Sequence, residues 1–189
     1  MRRVFWLTAL LLSLAGPAVA HPDHEASGLV HPFTGIDHLL AMVGVGLWAS
    51  LLAIRKPVTA VLVPAAFVVM MAVGAAAGFA GIKLPLVEAV ILASVLVVGG
   101  LLVGAVRLPV ALAMAVVGLF AVFHGYAHAL EAPATGTGGY ILGFLAATGL
   151  LQLFGLGLGW AVQRTVGLAG LRALGGVVMA GGAFVLLAN

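Results

Sequence analysis

Six apolar runs, each close to the ~20 residues a membrane-spanning helix needs, decide what this chain can become. They cover roughly residues 32–54, 58–80, 86–105, 108–129, 139–161 and 166–187. The breaks between them carry turn-forming or charged residues: Arg55-Lys56-Pro57, Gly81-Ile82-Lys83-Leu84-Pro85, Arg107-Leu108-Pro109, residues 131–139 and Gln163-Arg164. Connections this short make successive helices antiparallel neighbours. Composition closes the soluble alternative. Of 189 residues, 64% are hydrophobic and 7% charged, where soluble domains carry about 25% charged residues. A single aqueous core could not hide so much apolar surface.

The first twenty residues read as an export signal. Arg2 and Arg3 precede an apolar stretch at 4–15, and Ala18-Val19-Ala20 forms an A-x-A cleavage site. An uncut first helix is the alternative, and both readings put His21 outside the cytoplasm. The expected fold is all-α: a polytopic membrane helical bundle, with six transmembrane helices after a cleaved signal peptide. The division is a signal peptide at 1–20, an exported His-containing segment at 21–31, and a six-helix transmembrane domain at 32–189. Cation placement gives the orientation independently. Arg55, Lys56, Arg107 and Arg164 fall in cytoplasmic turns, against Lys83 outside. The eight basic residues are scattered singly, so no basic face for nucleic acid can be assembled. The chain has no cysteine, which excludes disulfides, thiolate metal sites and Cys nucleophiles. Nothing resembles a P-loop, so no ATP is expected to act on this chain directly.

Small residues prepare the packing. Gly74–Gly78, Gly100–Gly104 and Gly155–Gly159 are G-x-x-x-G pairs inside apolar runs, a spacing that lets helix backbones approach closely. They support a compact bundle and identify no partner.

Against this background the ionisable residues stand out, because each costs at least about 2.5–3.5 kcal/mol to insert into hydrocarbon. The first run opens His31-Pro32-Phe33-Thr34-Gly35-Ile36-Asp37-His38. If helical from Pro32, it sets His31, Gly35, His38 and Met42 on one stripe about 60° wide. Asp37 points about 100° away, where it joins the site from a neighbouring groove or holds an imidazole from behind. A capped interfacial helix is the plainer reading. The fourth run ends Phe123-His124-Gly125-Tyr126-Ala127-His128-Ala129-Leu130-Glu131. His124 and His128 are one turn apart and Glu131 follows at i+3, so all three share a face on which two imidazoles can grip one metal ion. Helix-packing histidines would show the same spacing. Glu88 opens the third run, where a helix-dipole charge is the simple alternative.

Topology then unites them. The first and third helices begin on the exported side, and the fourth ends there. His31, Asp37, His38, Glu88, His124, His128 and Glu131 therefore fall at one depth. Thr148 and Gln152, one turn apart on the fifth helix, lie deeper and either line a path or bond between helices. Arg172 is expected to snorkel to the cytoplasmic interface. A mature His21 would add an α-amine beside its imidazole with His24 nearby, a capture tip unless it is simply a polar terminus.

Imidazole and carboxylate without thiolate suit nickel, cobalt, zinc or copper(II). A rival reading is a b-type haem electron carrier with His38 and His124 or His128 as axial ligands; three carboxylates at that depth suit a cation better. An intramembrane metallohydrolase would need a glutamate where Gly125 stands. A metal sensor or scaffold that binds without transport is a further reading, separated by whole-cell uptake.

The segment from His31 to Ala49, read as H-P-x-x-G-x-D-H-x-x-A-M-x-x-V-G-x-W-A, resembles the signature of the HupE/UreJ family of nickel permeases. Residues 123–131 look like that family's F-H-G-x-A-H-x-x-E segment. Glu88, ahead of a run containing Ser94, stands where the family carries a membrane glutamate. Residues 139–149 resemble its G-Y-x-x-G-F-x-x-A-T stretch. The resemblance implies import of nickel for hydrogenase or urease maturation by a secondary, non-ATP transporter that is not an enzyme, in the bacterial inner membrane. Cobalt is the alternative cargo, and no prosthetic group is implied. The chain departs from the pattern at Gln152, where many members carry a histidine; Gln152 offers an oxygen but cannot titrate.

Overall fold

The computed structural model describes residues 28–134 and 137–188, with His31 as backbone alone. The expected export signal, His21 and His24 lie outside the described residues. Among those described, all regular structure is helical. A 3-10 turn at His31–Phe33 precedes α1 (Ile36–Ala53), α2 (Thr59–Phe79), α3 (Val87–Val103), α4 (Val110–Leu130), α5 (Thr137–Thr165) and α6 (Leu168–Ala188). Five of the six are long and apolar enough to cross a membrane; α3, with 17 residues, is the shorter apolar helix.

The largest departure from the sequence expectation lies at the start of α1. The helix begins at Ile36 rather than Pro32, because Gly35 is extended (φ −94°, ψ 116°) and occupies the N-cap. Glycine is a poor helix former and a tolerated cap, so the break falls there. His31 consequently sits in the preceding turn, off the helical stripe that carries His38 and Met42. At the other extreme, α5 runs through the expected break at Gln163-Arg164, where Gln163 Nε2 donates to Ser50 Oγ at 2.8 Å. The end of α3 is closed by N–H groups of Ala105 and Val106 donating to the carbonyls of Leu102 and Leu101, with Ala105 left-handed at φ 51°.

The helices pair closely as α2 with α4, α1 with α5 and α3 with α6, and α1 also packs on α2, α3 and α6. That central place is visible in burial: 61% of the α1 span lies inside the bundle, against 22% for α6. Glycine makes the closest approaches possible. Gly125 of α4 rests on the Met71 carbonyl, and Gly74 of α2 on that of Val122. Gly46 of α1 meets the Gln152 carbonyl, and Gly155 of α5 that of Val43; a Cβ at any of these would collide with backbone. The Gly74–Gly78 and Gly155–Gly159 pairs thus lie in interfaces as their spacing suggests. Gly100–Gly104 does not: Gly100 faces open space. One residue earlier, about 100° round the helix, Gly99 meets Met179, and Gly175 of α6 meets Leu102.

Candidate metal site at one end of the bundle

The start of α1 and the end of α4 meet at the same end of the bundle, and their histidines touch. The rings of His38 and His124 have centroids 4.9 Å apart and nearly perpendicular planes; those of His38 and His128 are 4.8 Å apart. His124 and His128 are fully buried, while the His38 side chain keeps 12% of its surface exposed. Aromatic side chains wall the cluster. Phe144 of α5 stacks on His128 at 4.7 Å and 10°, and Phe67 of α2 lies 5.7 Å from His124. In such an apolar, water-poor setting, electrostatic interactions are much stronger than in bulk water.

Two hydrogen bonds orient the rings. Asp37 Oδ1 accepts the backbone N–H of His38 at 2.8 Å and lies 3.0 Å from His38 Nδ1. Asp37 thus stands against the His38 ring. From α3, Ser94 Oγ lies 3.0 Å from His124 Nε2. The remaining nitrogens, Nε2 of His38 and Nδ1 of His124, are buried with no hydrogen-bond partner among the described residues.

Above the imidazoles opens a cavity of about 200 Å³ lined by Thr34, Gly35, Asp37, His38, Glu88, Ala127 and Glu131. That volume is room enough for several water molecules. Three carboxylates from α1, α3 and the end of α4 thus share one mouth, and His38 belongs both to that mouth and to the buried cluster. Beneath the cluster Met42, one turn below His38, is fully buried. Thr148 donates to Met71 Sδ at 3.4 Å. Gln152 is fully buried, and neither amide atom has a partner among the described residues. It lies eight residues beyond Phe144, about 12 Å further along α5.

The residues singled out from sequence thus divide. Asp37, His38, Glu88 and Glu131 meet at the mouth; His38 meets His124 and His128 below it; Met42 and Gln152 lie deeper; the backbone of His31 is in the 3-10 turn that precedes α1. Among the described residues, no three histidine or acidic side chains already stand in the arrangement of a closed coordination shell. The His38 ring meets those of His124 and His128 edge to face. Sequence reasoning missed Ser94 as a site residue, along with Phe67 and Phe144. The signal for Ser94 was available: it is the only hydroxyl in α3.

Fold and composition define a multi-pass helical membrane protein. The sequence profile of the HupE / UreJ protein family matches residues 9–185. Protein HupE of Rhizobium leguminosarum bv. viciae is 43% identical over 188 residues, covering 96% of this chain and 97% of that protein. The chain therefore belongs to the HupE/UreJ family, whose members are membrane transporter-type proteins associated with nickel and cobalt and not enzymes. No solved structure matches it.

Proposed function

We propose that this protein imports divalent nickel across the bacterial inner membrane, through six spans with the mature N-terminus outside after removal of residues 1–20. The observation that carries this reading is a stack of unlike donors at one end of the bundle: a carboxylate-lined mouth above the His38 imidazole, which touches those of His124 and His128. Glu88, Glu131 and Asp37 attract and partly dehydrate the cation. His38, reaching both levels, passes it to His124 and His128. His31, and His21 with His24 ahead of it, deliver metal to the mouth. Met42 and the Gln152 oxygen receive it on the way inward. Imidazole and oxygen donors without thiolate suit nickel or cobalt.

The membrane potential suffices as a driving force. About 100 mV supplies ~2.3 kcal/mol per elementary charge, hence about 4.6 kcal/mol for a divalent ion and roughly a thousandfold accumulation. Metal capture displaces protons from the imidazoles, so uptake competes with acid. A membrane haem is disfavoured, since rings 4.8–4.9 Å apart edge to face leave no slot for a macrocycle.

The test is accumulation of radioactive nickel and cobalt in cells expressing the chain, with and without dissipation of the potential. Potential-dependent nickel accumulation above that of cells lacking the chain is the expected result. Accumulation equal to those cells overturns the reading, and cobalt without nickel replaces its substrate.

A further inference from the structure

We infer that Ser94 is a positioning residue that sets the tautomer of His124, so that His124 meets the cation through Nδ1 while His38 meets it through Nε2. The inference rests on the reading of these histidines as metal ligands and adds which ring atoms do the binding and what holds them ready.

Ser94 Oγ lies 2.6 Å from the Ile91 carbonyl and 3.0 Å from His124 Nε2. A serine hydroxyl has one proton, and a backbone carbonyl can only accept. Two oxygens 2.6 Å apart without a proton between them would repel, so the hydroxyl proton lies toward Ile91. Ser94 Oγ then presents a lone pair to His124, and Nε2 must carry the ring hydrogen. A neutral imidazole has one N–H, which leaves Nδ1 bare. That is the atom found buried and without a partner among the described residues.

The same count settles His38 independently. Asp37 Oδ1 accepts from the His38 backbone and faces Nδ1 at 3.0 Å. A carboxylate at that position accepts, so Nδ1 carries the hydrogen and Nε2 is bare. His38 Nε2 is likewise buried and unpartnered among the described residues. Metals bind deprotonated ring nitrogens, and a ligating histidine generally donates its other N–H to an oxygen acceptor that fixes the ring. Asp37 and Ser94 supply those acceptors from two helices. The two bare nitrogens belong to touching rings, and they are of opposite type. Ser94 thereby gives α3 a role in the site beyond Glu88.

The test uses the full chain, metal-free in lipid nanodiscs with 15N-labelled histidine, and Ser94→Ala and Ser94→Thr variants. Nitrogen NMR is expected to show His124 as the Nε2–H tautomer in the natural chain and in Ser94→Thr, and a tautomer mixture in Ser94→Ala. Nickel affinity of the purified proteins should fall about 10–100-fold in Ser94→Ala, the usual consequence of removing such a partner, and stay within about threefold in Ser94→Thr. Hydrogen on Nδ1 of His124 in the natural chain overturns the inference, as does unchanged affinity in Ser94→Ala. These readouts need no transport. The expected tautomer and affinities in a protein that accumulates no nickel in cells would sink the import reading and leave Ser94 in its role.

Discussion

The two ends of the bundle treat buried polar groups in opposite ways. At the end away from the histidines, every donor named has an acceptor. Trp48 Nε1 donates to the Val106 carbonyl at 2.9 Å, and even the exposed Arg172 sends Nε to that of Val103 at 2.6 Å. Gln163 donates to Ser50, which in turn donates to Leu47 at 2.7 Å. Arg172 thus ties off the last carbonyl of α3 near a helix end, as snorkelling predicts. At the histidine end, Nε2 of His38 and Nδ1 of His124 are buried without partners among the described residues, and Gln152 repeats the pattern deeper in the bundle. Leaving one buried polar group unsatisfied costs about 1–3 kcal/mol. Such groups are satisfied at one end and left without partners among the described residues at the other, the pattern that the proposed metal route requires.

Substitutions can break this contrast. The largest effect is expected at the imidazoles: His38→Ala or His124→Ala should reduce nickel accumulation to that of cells lacking the chain, with membrane abundance near normal by immunoblot. Normal accumulation in both would show that the unpartnered nitrogens are not on the route. Next come the mouth carboxylates. Glu88→Gln or Glu131→Gln should raise the half-saturating nickel concentration roughly tenfold, with less effect at high ionic strength, because a focused negative potential concentrates cations and salt screens it. An unchanged half-saturation would detach the mouth from the buried cluster.

Gln152→Met sharpens the comparison by moving two quantities in opposite directions. Replacing an unsatisfied amide with an apolar chain of similar shape should stabilise the protein by about 1–3 kcal/mol, read as a higher Tm in detergent, while nickel uptake falls several-fold. A lower Tm would mean that the amide is satisfied in the membrane. The smallest effect is expected at the far end. Ser50→Ala should cost about 0.6 kcal/mol, typical of an interhelical hydrogen bond in a membrane, and leave uptake unchanged.

Much of this was legible in the sequence, for reasons that differ by element. The helices announce themselves because lipid demands long apolar runs, and antiparallel order follows from short turns. Topology alone puts His31, Asp37, His38, Glu88, His124, His128 and Glu131 at one depth; of these, Asp37, His38, Glu88 and Glu131 line one cavity, and the His38 ring touches those of His124 and His128. What escaped were matters of local backbone and rotation about a helix axis. The stripe through His31 assumed a helix that Gly35 interrupts. The Gly100–Gly104 pair matched a spacing but faced away from the contact that Gly99 makes. Ser94 was hidden because one hydroxyl in an apolar helix has no periodicity; only its meeting with His124 across thirty residues of sequence gives it meaning.

The proposed route requires one divalent ion to be held by nitrogens from two helices. X-ray absorption at the nickel edge, on purified protein carrying His21→Ala and His24→Ala to silence the exported tip, tests it most directly. The expected spectrum shows at least two imidazole nitrogens, the rest oxygen and no sulfur thiolate, and loses the imidazole signal in His38→Ala/His124→Ala/His128→Ala. A shell of oxygen alone, or two imidazoles retained in the triple variant, would be the opposite result.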